Sequence, residues 1–262
     1  MDLTSHTDEA FWDEYWASVQ LPLEVEKSSS LLMTAITDVF DRFLGSVRPL
    51  SVLEIGGAPG QYAAYIHRRF GHAITIFDSS PVGCEKAREN FSLLKMSVEV
   101  VSGDMLRPPP DLGRFDAVYS LGLIEHFEDV AGAVRAHAGF VKPGGMVILG
   151  VPNLHGLNEL LMRRLAPSFL SKHELPAMDE STWEVFEAEL GLKRLFRSHI
   201  GGFEAGTFWR CESRRVRDRL LHRLLWYTGK ALDRRETRFL RHANSPYWSA
   251  YLMGVYRVPE ST

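Results

Sequence analysis

The segment VLEIGGAPG, residues 52–60, indicates more about this chain than any other stretch. Val52–Ile55 reads as a short buried strand, and the small residues Gly56–Gly60 predict a tight turn where the backbone can approach a ligand. A second apolar run, Ala73–Phe77, ends at Asp78, roughly 20 residues beyond the first glycine of the turn. In a doubly wound α/β domain, an acid at this place accepts hydrogen bonds from ribose hydroxyls. The pattern therefore predicts a nucleoside-binding site.

The residues around the turn narrow the choice of ligand. A dinucleotide fingerprint reads G-x-G-x-x-G, whereas the small residues here stand at 56, 58 and 60. Glu54 would repel a pyrophosphate but attract an ammonium group, and Pro59 lacks the N–H that a phosphate cradle would use. These features favour a nucleoside with a zwitterionic amino-acid tail. Taken alone, the turn would also fit an ordinary strand–turn–helix corner.

The segment Glu54–Gly60 resembles the motif E/D-x-G-x-G-x-G of the Rossmann-like (class I) S-adenosylmethionine-dependent methyltransferases, with Ala58 at the middle glycine. The resemblance covers residues 50–152 and implies S-adenosylmethionine as cofactor. It implies further contacts at the carboxyl ends of later strands, with Asp104 and Met105 at the adenine and Ser120–Leu121 at the methionine part. The predicted cofactor-binding residues are Glu54, Gly56, Gly57, Ala58, Gly60, Asp78, Ser79, Asp104, Met105, Ser120 and Leu121.

The order of elements predicts a parallel sheet with right-handed crossovers, because strands alternate with helices of about ten residues. The expected strands are 51–55, 73–77, 97–102, 115–120, 146–151, 192–199 and 247–257. The predicted fold is α/β, a Rossmann-like doubly wound seven-stranded sheet with helical insertions after strands five and six, about 154–176 and 203–245. Residues 1–45 are expected to form an N-terminal helical lid, and residues 46–262 the methyltransferase domain.

Composition excludes several classes of protein. A chain with 45% hydrophobic residues can bury a substantial core, and a net charge of −3 argues against wholesale nucleic-acid binding. Two cysteines, Cys84 and Cys211, do not make a disulfide framework or a cysteine zinc site. The acidic N-terminal segment lacks the apolar core of a signal peptide, and no apolar stretch approaches the roughly 20 residues that span a bilayer. We therefore expect a cytoplasmic protein.

The charge is unevenly distributed, because basic residues outnumber acidic ones from Trp209 to Arg241. Within this segment, a helix over Val216–Leu232 carries an apolar stripe, and arginines occupy much of the rest. The stripe consists of Val216, Leu220, Leu224, Tyr227 and Ala231. The helix is interpreted either as packed on the domain with a solvated cationic face, or as a cationic rim that steers an anionic substrate. Residues 214–232 are also candidates for a peripheral membrane contact serving a lipid-like acceptor, or for a dimer contact.

Methyl transfer from a sulfonium requires in-line positioning and deprotonation of the acceptor. The candidate base is His126, because imidazole titrates near neutrality and this position faces the methyl group in the resembled family. The alternative is a structural imidazole that caps the following helix. Glu125 and His126 could help to hold a divalent ion, but no second carboxylate cluster is visible, so no metal is predicted.

Further residues could line an acceptor pocket. Trp12, Tyr15 and Trp16 share one face of the first helix, where they would pack in the core or close a lid over the ligands. His155 and His173 flank the first insertion, where surface positions are the alternative.

The sequence favours O-methylation of a small-molecule acceptor, with no nucleic-acid partner. The alternatives are S- or N-methylation, a lipid or quinone-type acceptor, and a non-catalytic S-adenosylmethionine-binding protein. An NAD-dependent enzyme and an RNA methyltransferase are the other candidates.

Overall fold

Seven strands form one mixed sheet in the computed structural model, which describes residues 5, 7–25, 30–208, 211–232 and 243–260. The strands are β1 (Ser51–Ile55), β2 (Ala73–Asp78), β3 (Glu99–Ser102), β4 (Phe115–Leu121), β5 (Val141–Pro152), β6 (Lys193–Ile200) and β7 (Tyr251–Arg257). Their order in the sheet is β3-β2-β1-β4-β5-β7-β6. The first five strands are parallel, and β7 pairs antiparallel with both β5 and β6. The predicted fold class is confirmed.

Helices lie before, between and after these strands. They are α1 (Glu9–Ala17), α2 (Leu31–Phe43), α3 (Gln61–Phe70), α4 (Pro81–Leu93), α5 (Val130–Gly139), α6 (Leu157–Leu165), α7 (Pro167–Leu170), α8 (Glu180–Glu189) and α9 (Val216–Leu232). Four of them begin at a side chain that accepts a backbone N–H three residues further on, which satisfies a donor that the first turn leaves unpaired. These capping residues are Asp8, Ser30, Ser80 and Asp129.

The sheet is covered on both faces. On one face, Trp183 and Phe186 of α8 pack against Tyr256 of β7 in a buried aromatic cluster. On the other face, Phe40 of α2 packs edge-on against Tyr119 of β4. This double covering explains why the central strands are apolar on both sides, and it leaves the carboxyl edge of the parallel strands for the site.

Two predicted strand starts are wrong by four or more residues, and the other strand boundaries differ by at most two. Strand β5 begins at Val141 instead of residue 146, because Val141 already pairs with Phe115 of β4. The last strand begins at Tyr251 instead of residue 247, because the Ser249 amide donates to the Ser245 carbonyl oxygen in a turn. Both starts lie beside glycine, proline or serine turns, where apolar periodicity is interrupted.

The predicted insertions carry α6, α7 and α9. Residues 209, 210 and 233–242 of the second insertion lie outside the described residues, as do 1–4, 6 and 26–29 of the predicted lid. Cys84 and Cys211 are both free thiols. Within the described ranges, no helix has the length and apolar character needed to cross a membrane.

The aromatic cluster on α8 should dominate local stability. Trp183 is fully buried, and its indole N–H donates to the Ala177 carbonyl oxygen at 2.7 Å. We expect Trp183→Ala to lower the free energy of unfolding by about 3–5 kcal/mol, through lost burial and a cavity. Val185 on the same helix is exposed, so Val185→Ala should change it by less than about 0.5 kcal/mol. Denaturant titration compares the two, and equal losses would contradict the packing.

Candidate active site

The turn after β1 is held by glycines that no other residue could replace without strain. Gly56 and Gly60 have φ of +65° and +83°, which disfavour a side chain. Gly57 is required for a different reason, because a Cβ there would lie 2.1 Å from Cγ of Glu54. Ala58, the departure from the family motif, has no positive φ. An alanine methyl group is therefore compatible with this turn.

Glu54 lies beneath the turn as a buried acid. Its side chain is 3% exposed, and among the described residues its Oε2 has no hydrogen-bond partner. Burial raises the pKa of Glu54 to about 8, since the carboxylate loses its hydration. A cationic group placed against this oxygen would favour the ionised carboxylate. The site is therefore chemically suited to an ammonium group.

Asp78, at the end of β2, connects the turn after β1 with the turn after β2 through hydrogen bonds. Its carboxylate accepts the Ala58 N–H at 3.2 Å and the Ser80 N–H at 2.9 Å. Burial raises the pKa of Asp78, while these two N–H donors oppose the rise. Ser79 beside it is exposed. The structure thus places the Asp78 carboxylate directly against the glycine turn.

The residues that follow β3 differ from Asp78 in their hydrogen bonding. Asp104 is exposed, and its carboxylate accepts the Leu106 N–H at 2.9 Å within its own turn. Met105 is buried in the core cluster that also contains Phe115. The Gly103 N–H donates to the Asp78 carbonyl oxygen, which brings the two loops together. The loop that contains Asp104 therefore meets β2 at Asp78, although the Asp104 side chain accepts a hydrogen bond within its own turn.

Ser120 has a structural partner that the sequence did not reveal. Its hydroxyl lies 2.9 Å from Nε2 of His137, whose Nδ1 lies 2.7 Å from the Ala133 carbonyl oxygen. Because a carbonyl oxygen only accepts, Nδ1 carries the hydrogen and Nε2 accepts from Ser120. Burial lowers the pKa of His137 to about 4, so the ring is neutral. The neighbouring Leu121 lines the cavity described next.

A cavity of about 580 Å³ adjoins the glycine turn. It extends from Gly56 to His126, and the aromatic side chains of α1 form one wall. The first insertion contributes Phe169 and His173 to another wall. The polar groups at its surface also include Lys172 and Glu204. The cavity is therefore mainly apolar with a few polar groups, as is typical of small-molecule sites.

Helix α1 lies over the same edge of the sheet. Asp13 accepts hydrogen bonds from the Ser80 hydroxyl and, more weakly, from the Val82 N–H at the start of α4. A Cβ on Gly83 would lie 2.8 Å from the Trp16 ring, so the indole rests against the first turn of α4. Trp12 and Tyr15 line the cavity with Trp16, and none of the α1 residues is fully buried.

His126 and Glu125 occupy a short 3₁₀ turn after β4, Ile124–His126. Glu125 is buried, and within the described part of the chain its Oε2 has no hydrogen-bond partner. Burial raises the pKa of Glu125 to about 8. The ring of Trp12 contacts His126 edge-on at 5.4 Å. The helix-capping interpretation of His126 is wrong, because Asp129 caps α5.

His173 joins this pair from the first insertion. Its ring centroid lies 4.8 Å from that of His126, and ligating atoms of Glu125, His126 and His173 all lie within 4.8 Å of one another. Nδ1 of each imidazole lies 2.9 Å from a carbonyl oxygen, that of Lys172 for His126 and that of Phe169 for His173. Both Nδ1 atoms are therefore donors, and in the neutral rings Nε2 carries the lone pair. The three residues form a polar cluster that could take up a proton or ligate a divalent ion.

The two histidines predicted to line the acceptor pocket separate in the structure. His173 lines the cavity, whereas His155 is not among the lining residues. His155 instead lies 3.1 Å from an Asp179 carboxylate oxygen and 3.8 Å from one of Glu159. Sequence spacing could not distinguish them, because each follows an element whose direction depends on how the insertion folds.

Comparisons with known proteins agree with the fold and with the glycine turn. Residues 52–145 match the family model of a methyltransferase domain. The chain is 36% identical over 119 residues to a ubiquinone biosynthesis O-methyltransferase of Alkalilimnicola ehrlichii, covering 44% of this chain and 47% of that relative. The match thus spans about half the length of the curated relative.

Two solved structures share the architecture over nearly the whole chain. The S-adenosylmethionine-dependent methyltransferase of Thiobacillus denitrificans, solved with S-adenosylhomocysteine, has a TM-score of 0.55 at 17% identity, covering 94% of this chain and 95% of that one. The cyclase SpnF has a TM-score of 0.62 at 16% identity, covering 98% and 97%. At such low identity, these structures establish the fold alone. With the family match, they identify residues 52–145 as a methyltransferase domain of the Rossmann-like, S-adenosylmethionine-dependent class.

Proposed function

We propose that this chain transfers a methyl group from S-adenosylmethionine to an oxygen atom of a small-molecule acceptor. The observation that carries the proposal is one cavity that reaches from Gly56, in the glycine turn, to His126. A donor bound at the turn and an acceptor bound near the histidine would therefore share one space. The name of the curated relative supports oxygen as the methylated atom.

The residues of the sheet edge fit the donor. The Oε2 of Glu54, which has no hydrogen-bond partner in the described part of the chain, would hold its ammonium group. The carboxylate of Asp78 would accept hydrogen bonds from ribose hydroxyls. Gly57 keeps the Glu54 side chain in place, since any Cβ there would displace it. When bound, S-adenosylmethionine supplies an activated methyl group on a sulfonium sulfur. The protein then needs only to orient the acceptor and remove its proton.

His126 is suited to removing that proton. Donation from Nδ1 to the Lys172 carbonyl oxygen orients the ring, and in this tautomer Nε2 is the basic atom. An imidazolium at His126 would lower the raised pKa of Glu125, and the ionised carboxylate would then stabilise that imidazolium. The acceptor would lie between this cluster and the aromatic residues of α1, which suits an aromatic or otherwise apolar molecule with a hydroxyl group. Helix α1 would act as a lid that excludes water.

A divalent ion in the cluster is a second way to activate the hydroxyl. It is favoured by the three side chains whose ligating atoms lie within 4.8 Å of one another. It is also favoured by the two imidazoles that donate from Nδ1 to carbonyl oxygens, an arrangement common around metal ligands. Glu125, His126 and His173 would hold the ion, which would lower the pKa of the acceptor hydroxyl. Dialysis against a chelator separates the two candidates. Turnover that persists without metal supports the base, and turnover that is lost and then restored by a divalent cation supports the ion.

His126→Ala should reduce turnover by about 10²- to 10⁴-fold, the usual contribution of a general base. The affinity for S-adenosylhomocysteine should change by less than about twofold, because the residues proposed to hold the donor, Glu54 and Asp78, are unchanged. The measurement is S-adenosylhomocysteine release with a panel of phenols and catechols, beside calorimetric binding. His67→Ala, in the last turn of α3, serves as the matched histidine control. A His126→Ala turnover within a few-fold of wild type would overturn the assignment of the base.

Binding of the donor should be linked to a proton at Glu54. The pKa of Glu54 is raised to about 8 without ligand, and a bound ammonium would lower it. Binding at about pH 7 should therefore release a proton, and affinity should rise with pH up to about 8, by at most about tenfold per unit.

Calorimetry with S-adenosylhomocysteine in two buffers of different ionisation enthalpy measures this release. Glu54→Gln should abolish it, whereas Glu99→Gln, an exposed acid on β3, should leave it intact. Release that persists in Glu54→Gln would assign the proton to another group.

A further inference from the structure

Helix α9 presents an apolar stripe to solvent. Val216, Leu220, Leu224 and Tyr227 are between 59% and 73% exposed, and Ala231 continues the same line. Exposed apolar residues scattered singly are ordinary, but four large ones on one helical line are not. The residues of this stripe neither belong to the hydrophobic core clusters nor line the cavity.

The opposite side of α9 is fixed to the domain. Asp218 is buried, and its carboxylate lies 2.6 Å from the Arg164 guanidinium of α6 and accepts the Ser213 hydroxyl at 2.6 Å. Leu221 and Leu225, also on this side, pack against the core. The helix is amphipathic as predicted, but the face that packs carries Asp218. The stripe faces outward because this anchor sets the rotation of the helix about its axis.

Cationic side chains flank the stripe. At 100° per residue, Arg219, Arg223 and Lys230 lie along one border, and Arg217 lies along the other. All four are exposed. The acid within the helix, Asp218, is already paired with Arg164. The outer surface of α9 therefore combines apolar, aromatic and positively charged groups without an opposing charge of its own.

We propose that α9 docks this protein onto the surface of a lipid bilayer that contains anionic lipids. The stripe would enter the boundary between headgroups and acyl chains, while the flanking cations meet lipid phosphates, as in interfacial amphipathic helices. Trp226 and Tyr227 suit this boundary, because their rings are apolar and their tips polar. Trp226 is also exposed, at 44%.

The same charges argue against a second copy of the chain. A two-fold contact through α9 would bring the arginine borders of both copies together, and like charges at an interface cost affinity. A nucleic acid would neutralise the arginines but leave Leu220 and Leu224 in water. A bilayer with anionic headgroups satisfies both the charge and the apolar area.

The position of α9 connects this surface with the cavity. The helix packs against the 3₁₀ turn Ala205–Phe208, which contributes Gly206 and Thr207 to the cavity wall, and against α6. In a docked protein, the turn Ala205–Phe208 would therefore lie between the membrane-bound helix and the cavity. Docking itself requires no methyl transfer, so its test does not depend on the proposed function.

Sedimentation with phosphatidylcholine vesicles, with and without phosphatidylglycerol, tests the proposal on the full chain. The wild type should bind the anionic vesicles. The double variant Leu220→Ser/Leu224→Ser should bind them at least about tenfold more weakly, since burying one leucine side chain alone is worth about that factor. Arg219→Gln/Arg223→Gln should reduce the preference for anionic vesicles by about tenfold or more.

Matched controls remove the same groups elsewhere. Leu93→Ser on α4 and Arg48→Gln replace an exposed leucine and an exposed arginine outside α9, and both should bind like wild type. Circular dichroism and S-adenosylhomocysteine binding verify that each variant is folded. Equal vesicle binding by wild type and the double leucine variant would overturn the proposal. So would a wild-type dimer in light scattering that Leu220→Ser/Leu224→Ser dissociates, because the stripe would then be a contact between copies.

Discussion

The carboxylate of Asp78 holds together the edge of the sheet on which the rest of the site depends. By accepting the Ala58 and Ser80 amides, it fixes the turn after β1 relative to the turn after β2. The Ser80 hydroxyl in turn donates to Asp13, which seats α1 against α4. Turn, strand and covering helix are thus connected through one short series of hydrogen bonds. Each bond uses a charged acceptor, the stronger kind in a poorly hydrated place.

The chemistry of the molecule is divided between the sheet and its insertions. Residues from β1 and β2 form the part of the site that suits a nucleoside with an amino-acid tail. The first insertion, with Phe169 and His173, and helix α1 form the part that would meet an acceptor. Because a shared fold can carry different reactions, the second part decides what is modified. The similarity to a cyclase at nearly full length illustrates the same point.

Local residues predicted the fold and the glycine turn because the forces involved are local. Apolar periodicity placed the strands, and the need for positive φ at Gly56 and Gly60 is a property of the turn alone. The partnership of His126 with His173 was missed because it depends on the path of an insertion, which no short-range pattern encodes. The outward direction of the α9 stripe was missed for a similar reason. It follows from the contact of Asp218 with Arg164, a residue 54 positions away.

The buried position of Glu54 also has a consequence for folding. In the unfolded chain this carboxyl ionises with its ordinary pKa of 4.5, whereas in the folded protein the pKa is about 8. The native state therefore retains a proton that the unfolded chain releases, and this contribution to stability is complete below the unfolded pKa and is lost as pH rises through the native one. A ligand cation that takes the place of this proton compensates for the loss. Thermal resistance in mildly alkaline solution should accordingly depend on ligand more than it does in weak acid.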